Sequence, residues 1–181
     1  MALLKVENLK KYFNTSMGFL HAVDDVSFKL KAGKTMGVVG ESGCGKTTLG
    51  RVLVHLQEST SGKIFFNDEN ITHVNSRKLS ELRSMMRIIF QDPYSSLDPR
   101  MTVEDTLKEP FIVSGKFNKG QIQELADRIM NLVGLDKRFQ LSYPHELDGG
   151  RRQRVGIGRA LSMNPKFIVC DEPVSALDVS I

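Results

Sequence analysis

The sequence has 181 residues, 40% of them hydrophobic and 25% charged, with a formal net charge of +4. That suits one domain with a substantial core and a sub-lobe, and excludes two full domains of ordinary size. The mild positive charge suits an anionic ligand or a membrane-proximal surface, and excludes the dense basic stripe of a nucleic-acid binder.

The tightest basic cluster, Arg151, Arg152 and Arg154, is expected to be the solvated face of a helix. The two cysteines, Cys44 and Cys170, have no metal or disulfide spacing, which points to a reducing compartment. Lys5 interrupts the N-terminus too early for a signal peptide, and no apolar run approaches the ~18 residues of a membrane span.

Leu3–Leu9 alternates apolar and polar residues, the pattern of a half-buried strand, and His21–Leu30 does the same through Val23, Val26, Phe28 and Leu30. Ala32–Lys34 predicts a turn, and Thr35–Val39 a short buried strand entering a glycine-rich loop. A helix is expected over Thr47–His55, with Leu49, Val52 and Leu53 on one face. Gly62–Phe66 and Arg87–Phe90 are further strand candidates, with a helix over Ser76–Met86 between them. From residue 93 to 161 strand signals fade. Helical periodicity replaces them at Lys119–Val133 and again at Gly149–Met163, before the buried strand expected at Phe167–Cys170.

Gly40-Glu41-Ser42-Gly43-Cys44-Gly45-Lys46-Thr47 fits G-x-x-x-x-G-K-[ST] at every fixed position, between an expected strand and an expected helix. The glycines allow the backbone to curl so that successive N–H groups, on through Thr48, point at phosphate oxygens. The helix that follows presents its positive end to them. Lys46 would reach the β- and γ-phosphates of ATP, and the Thr47 hydroxyl would ligate Mg2+. The bland alternative is a glycine-rich turn before a helix.

Such a loop needs a carboxylate on a neighbouring strand to hold the magnesium ion. Four apolar residues, Phe167–Cys170, place Asp171 at the C-terminal end of a strand, where α/β sites sit. Glu172 follows and could polarise a water for attack. Taken alone, the pair could equally be an exposed strand end.

Together these residues resemble the ATP-binding subunits of ABC transporters. Beside the phosphate loop and Asp171-Glu172-Pro173 stand Phe90-Gln91-Asp92-Pro93, like that family's glutamine loop, and Leu147-Asp148-Gly149-Gly150-Arg151-Arg152-Gln153-Arg154, like its signature. Ser175-Ala176-Leu177-Asp178 resembles the D-loop, and the aromatic Tyr12 precedes the phosphate loop. The string from Gln91 to Thr102, with Tyr143–Glu146, is similar to the oligopeptide, dipeptide and nickel importer branch.

The resemblance implies an α/β fold: a P-loop core with a mostly parallel sheet, an antiparallel N-terminal part, and a helical subdomain near 93–161 between core segments 1–92 and 162–181. It implies ATP and Mg2+ as ligands, with Lys46 and Glu172 in catalysis. Gln91 would contact magnesium and the attacking water and sense the membrane subunit. Tyr12 would stack on adenine, although neighbouring Phe13 is an equally good aromatic. Gly149 and Gly150 would face the γ-phosphate bound by a second ATPase subunit; by themselves they are an ordinary helix start. Asp178 would line that dimer interface. The partners implied are a second, non-identical ATP-binding subunit and integral-membrane permeases at the cytoplasmic face, with peptides or related solutes as cargo. Tandem domains or large insertions, expected of ABC proteins acting on DNA or ribosomes, are not seen. The signature argues against a small-molecule kinase.

Two departures stand out. Asp148 replaces the family's serine and Arg151 its glutamine. An ionised carboxylate ~4 Å from a phosphate charge costs on the order of 4 kcal/mol at an effective dielectric of about 20, against about 1 for a neutral hydrogen bond. Either Arg151 offsets that repulsion, or Asp148 turns away to cap the helix. The family also continues past Ile181 to a histidine at the γ-phosphate, a place that His21, His55, His73 and His145 do not fill. A shortened chain with a bare sheet edge is therefore expected, and nucleotide binding without turnover is the second functional reading.

Overall fold

The structure, a computed structural model, describes residues 2–92 and 96–172. They form two compact units that divide between residues 83 and 84.

In the first unit, β1 (Ala2–Thr15) and β2 (Gly18–Lys31) make a long antiparallel hairpin. β3 (Ser61–Phe66) pairs with the other edge of β1, and β4 (Glu69–Asn70) pairs with β3, giving the order β2-β1-β3-β4. Leu4, Val6, Leu9, Val23, Ile64 and Phe66 are buried. β1 runs six residues past the expected end because Lys10, Lys11 and Asn14 hide the alternation while backbone pairing continues. Asn8, at φ 47, makes a bulge that keeps Leu9 buried out of step with Leu4 and Val6. Gly62 lets β3 approach: a Cβ there would lie 2.5 Å from the Asn8 carbonyl oxygen and from the Leu9 Cα.

Thr35–Val39 departs from expectation. These residues are exposed and belong to no ladder among the described residues. An apolar run becomes a strand only when a neighbour satisfies its backbone groups, and no described strand does so here. Helix α1 (Lys46–Leu53) follows the loop and buries Leu49, Val52 and Leu53 as its periodicity predicts. Helix α2 (Ser76–Met85) buries Leu82.

In the second unit, β5 (Met86–Ile89) and β6 (Phe167–Cys170) pair in parallel, from Met86 opposite Phe167 to Ile89 opposite Cys170. Helices α3 (Val103–Ser114), α4 (Lys119–Leu132) and α5 (Gly149–Leu161) enclose a core of Leu97, Val103, Leu107, Phe111, Ala126, Ile129, Met130, Leu135, Leu147 and Val155. Reciprocal capping boxes start two of them, Thr102 with Asp105 and Asn118 with Gln121. No sequence periodicity set the bounds of α3, because Pro110 lies inside it and the buried Thr106 interrupts its apolar face. No helix among the described residues is long and apolar enough to cross a membrane.

Candidate nucleotide-binding site

The phosphate loop lies in the first unit. Gly43 and Gly45 hold φ values of 79° and 97°, which other residues rarely adopt. Gly45 has a further reason to be glycine: a Cβ there would lie 1.9 Å from the Ala22 carbonyl oxygen. Ala22 is the extra residue of a bulge, since Lys11 pairs with Val23 and Tyr12 with His21.

Lys46 Nζ donates to the carbonyl oxygens of Gly40 (2.8 Å) and Glu41 (2.7 Å), so its cation sits on the loop it closes. Gly45 offers no side chain to cap α1, and the first turn of that helix holds no acidic residue. Leading N–H groups without a side-chain cap, a glycine curl and a captive ammonium suit a polyanion. Cys44 is exposed, its Sγ 3.9 Å from Lys46 Nζ.

Asp171 and Glu172 lie in the second unit, just past β6. The Asp171 N–H donates to the Ile89 carbonyl at 2.9 Å, extending the ladder, and Asp171 is buried. Glu172 is exposed and left-handed, at φ 44. Because Ile89 is opposite Cys170, Gln91 and Glu172 each stand two residues beyond one register pair. Gln91 Nε2 donates to Glu172 Oε2 at 2.8 Å. Buried Asp171 is a hard oxygen donor of the kind Mg2+ takes, and so is the Thr47 hydroxyl on its own unit. Cys170, expected to be buried, is exposed: it is the last residue of a four-residue strand, and partial burial still pushes its thiol pKa up.

At the signature, Asp148 is the N-cap of α5. Its Oδ1 accepts from the Arg151 N–H at 2.7 Å, and its Oδ2 from the Arg151 guanidinium at 2.5 Å. That guanidinium lies over the Phe139 ring, 4.4 Å from the centroid. Asp148 thus caps the helix and is paired with Arg151 at the same time. The arginine cluster is tethered more than a plain solvated face would be, because Arg154 also donates to the Gly134 carbonyl at 2.9 Å. Gly149 and Gly150 form the first turn of α5. Asp178 lies outside the described residues.

Tyr12 is half-buried and stacked on His21, with ring centroids 3.8 Å apart, and its hydroxyl donates to Asp24 Oδ1 at 2.5 Å. That bond pushes the Tyr12 pKa up and the Asp24 pKa down. His21 and Asp24 carry no motif; only the β1–β2 register brings them to Tyr12. Sequence reasoning also missed a hollow of about 460 Å³ in the second unit, lined in part by Asp98, Arg100, Thr106, Glu109 and Arg159. Its residues span 64 positions of chain, too scattered for a motif (96 to 159, ends included).

Residues 23–175 match the family described as ABC transporter. The chain belongs to that family. Among this ABC chain's relatives, the oligopeptide transport ATP-binding protein OppF of Bacillus subtilis is 50% identical over 99% of the chain and 59% of its own length. The dipeptide transport ATP-binding protein DppF of Haemophilus influenzae is 43% identical over 99% of the chain and 57% of its own length. The chain therefore spans less than three fifths of either relative. Among solved structures, the dimeric ATP-binding cassette MJ0796 bound to ADP and Pi superposes with a TM-score of 0.89 at 27% identity, covering 97% of this chain and 76% of that one. The fold is that of an ABC ATPase cassette.

Proposed function

We propose that this chain binds ATP with Mg2+ and hydrolyses it to energise an importer of peptides or related small solutes. The observation that carries the reading is the loop Gly40–Thr48, closed by Lys46 on the uncapped start of α1. Oligopeptide and dipeptide transport in the names of its relatives supports the cargo class.

In this reading Lys46 neutralises the β- and γ-phosphates. The backbone of Gly40, Ser42, Gly43, Cys44, Gly45 and Thr48 cradles them, and Tyr12 stacks on the base. Thr47 in the first unit and Asp171 and Gln91 in the second would be the magnesium ligands, and the ion, when bound, would spread the charge developing on the phosphates. Glu172, oriented by the Gln91 amide, takes a proton from the attacking water. The chain acts as one nucleotide-binding domain, with core segments 1–92 and 162–181 around a helical part near 93–161. It docks on permease subunits at the cytoplasmic face of the membrane.

The partner ATPase is a different subunit. Asp148 and Arg151 occupy each other at this signature, so a partner bearing a hydroxyl there would complete the stronger site with this chain's Lys46, Asp171 and Glu172. Gly149, Gly150 and Asp178 would serve the partner's nucleotide. The test is calorimetric MgATP binding, then phosphate release in the assembled transporter. Glu172→Gln here should cost far more activity than the equivalent change in the partner, and Asp148→Ser should narrow the gap. Unchanged MgATP affinity in Lys46→Ala would sink the assignment.

A further inference from the structure

Tyr12 is held in two ways. Its hydroxyl is held by Asp24, and its ring plane lies within 12° of the His21 imidazole at 3.8 Å. Asp24 is itself flanked by His21 Nδ1 and Lys10 Nζ, each 3.6 Å away. The next residue after His21 is Ala22, the bulge residue whose carbonyl sits where a Gly45 side chain would be. One strand therefore carries, in consecutive residues, a ring stacked on Tyr12 and a carbonyl wedged against the phosphate loop.

We infer that His21 is a positioning residue for the nucleobase: it backs one face of Tyr12 so that the base takes the other, in a three-ring stack set beside the phosphate loop by the Ala22 bulge. This rests on the reading of Tyr12 as the base platform. A tyrosine on a two-stranded ribbon can otherwise tilt about its χ angles, and fixing it in advance lowers the cost of binding. Asp24 restrains the ring at its hydroxyl end, and His21 restrains its tilt. The His21 side-chain contacts are with Tyr12 and Asp24, away from the loop at 40–48, so its effect should be confined to ligands that carry a base.

The experiment compares MgATP and magnesium tripolyphosphate binding by calorimetry on the full chain. The His21 side chain is 53% exposed, so His21→Ala should fold with a melting temperature lowered by no more than a few degrees. It should weaken MgATP about three- to tenfold, the size of a stacked aromatic pair, and leave tripolyphosphate unchanged. His21→Phe, which keeps a ring, should restore MgATP binding. Tyr12→Ala is the control. If Tyr12→Ala weakens MgATP selectively and His21→Ala does not, the inference fails and the platform reading stands. If neither variant changes MgATP binding, both fail and the phosphate loop alone remains. Equal losses of both ligands in His21→Ala, or no rescue by phenylalanine, would also overturn it.

Discussion

Val38 and Val39, just ahead of the phosphate loop, are 52% and 94% exposed, whereas Leu107 and Phe111 in α3 are sealed at 0% and 2%. The two regions carry comparable apolar sequence and are held by different forces. The loop is held by a few local contacts, Lys46 on two carbonyls and the close approach of the Ala22 backbone to Gly45. The helical cluster depends on non-directional burial among three helices. The segment with the candidate phosphate-binding residues is thus the more exposed one, while the tightly packed one carries the signature turn. If this division is real, substitutions should separate binding from stability.

The largest effect should come from Phe111→Ala. It empties a site that Phe117 meets edge-on at 5.5 Å, and should cost about 3–5 kcal/mol by denaturant unfolding. MgATP affinity of the folded fraction should stay unchanged; a parallel loss of affinity would break the contrast. Glu172→Gln keeps the shape and loses the proposed base. Phosphate release in the assembled transporter should fall by about 10²–10⁴-fold while MgATP still binds, and undiminished release removes Glu172 from catalysis.

Lys46→Ala removes the charge and both carbonyl contacts. MgATP affinity should fall about 100-fold, the scale of one to two charge-assisted hydrogen bonds, with little change in melting temperature. Asp148→Ala tests the cap alone and should cost about 1 kcal/mol of stability. A cost near zero would mean that the Arg151–Phe139 contact holds the turn without it. The smallest effect concerns the thiols. Alkylation of exposed Cys44 should slow several-fold on adding MgATP, measured in a Cys170→Ser background because Cys170 is exposed too. Labelling of Cys44 indifferent to saturating MgATP would mean that the loop does not close on phosphate.

Much of the candidate site's geometry was legible because it is local. Gly43, Gly45 and Lys46 lie within one turn of chain, so their spacing carries the loop's shape. The amphipathic face of α1, and that of α4 apart from Leu132, which is exposed, were legible because helix periodicity needs only neighbours three and four residues away. The failures share one cause. Thr35–Val39 has the composition of a strand, but a strand also requires a partner edge. Cys170 follows three apolar residues yet ends its strand, and composition does not say where a ladder stops. α3 was obscured by Pro110, a residue that sequence reasoning places at helix ends but that is buried inside this one.

The sequence by itself determined the α/β class and the family, and marked Gly40–Thr47 and Asp171-Glu172 as candidate site residues, since each rests on residue types at fixed short spacing. Only the tertiary structure decided that Gln91 donates to Glu172 across 81 residues, that Asp148 both caps α5 and pairs with Arg151, and that His21 stacks on Tyr12. Two of these arise from strand register, β5 against β6 and β1 against β2. Register depends on bulges and pairing partners far away in the chain, which no local pattern encodes.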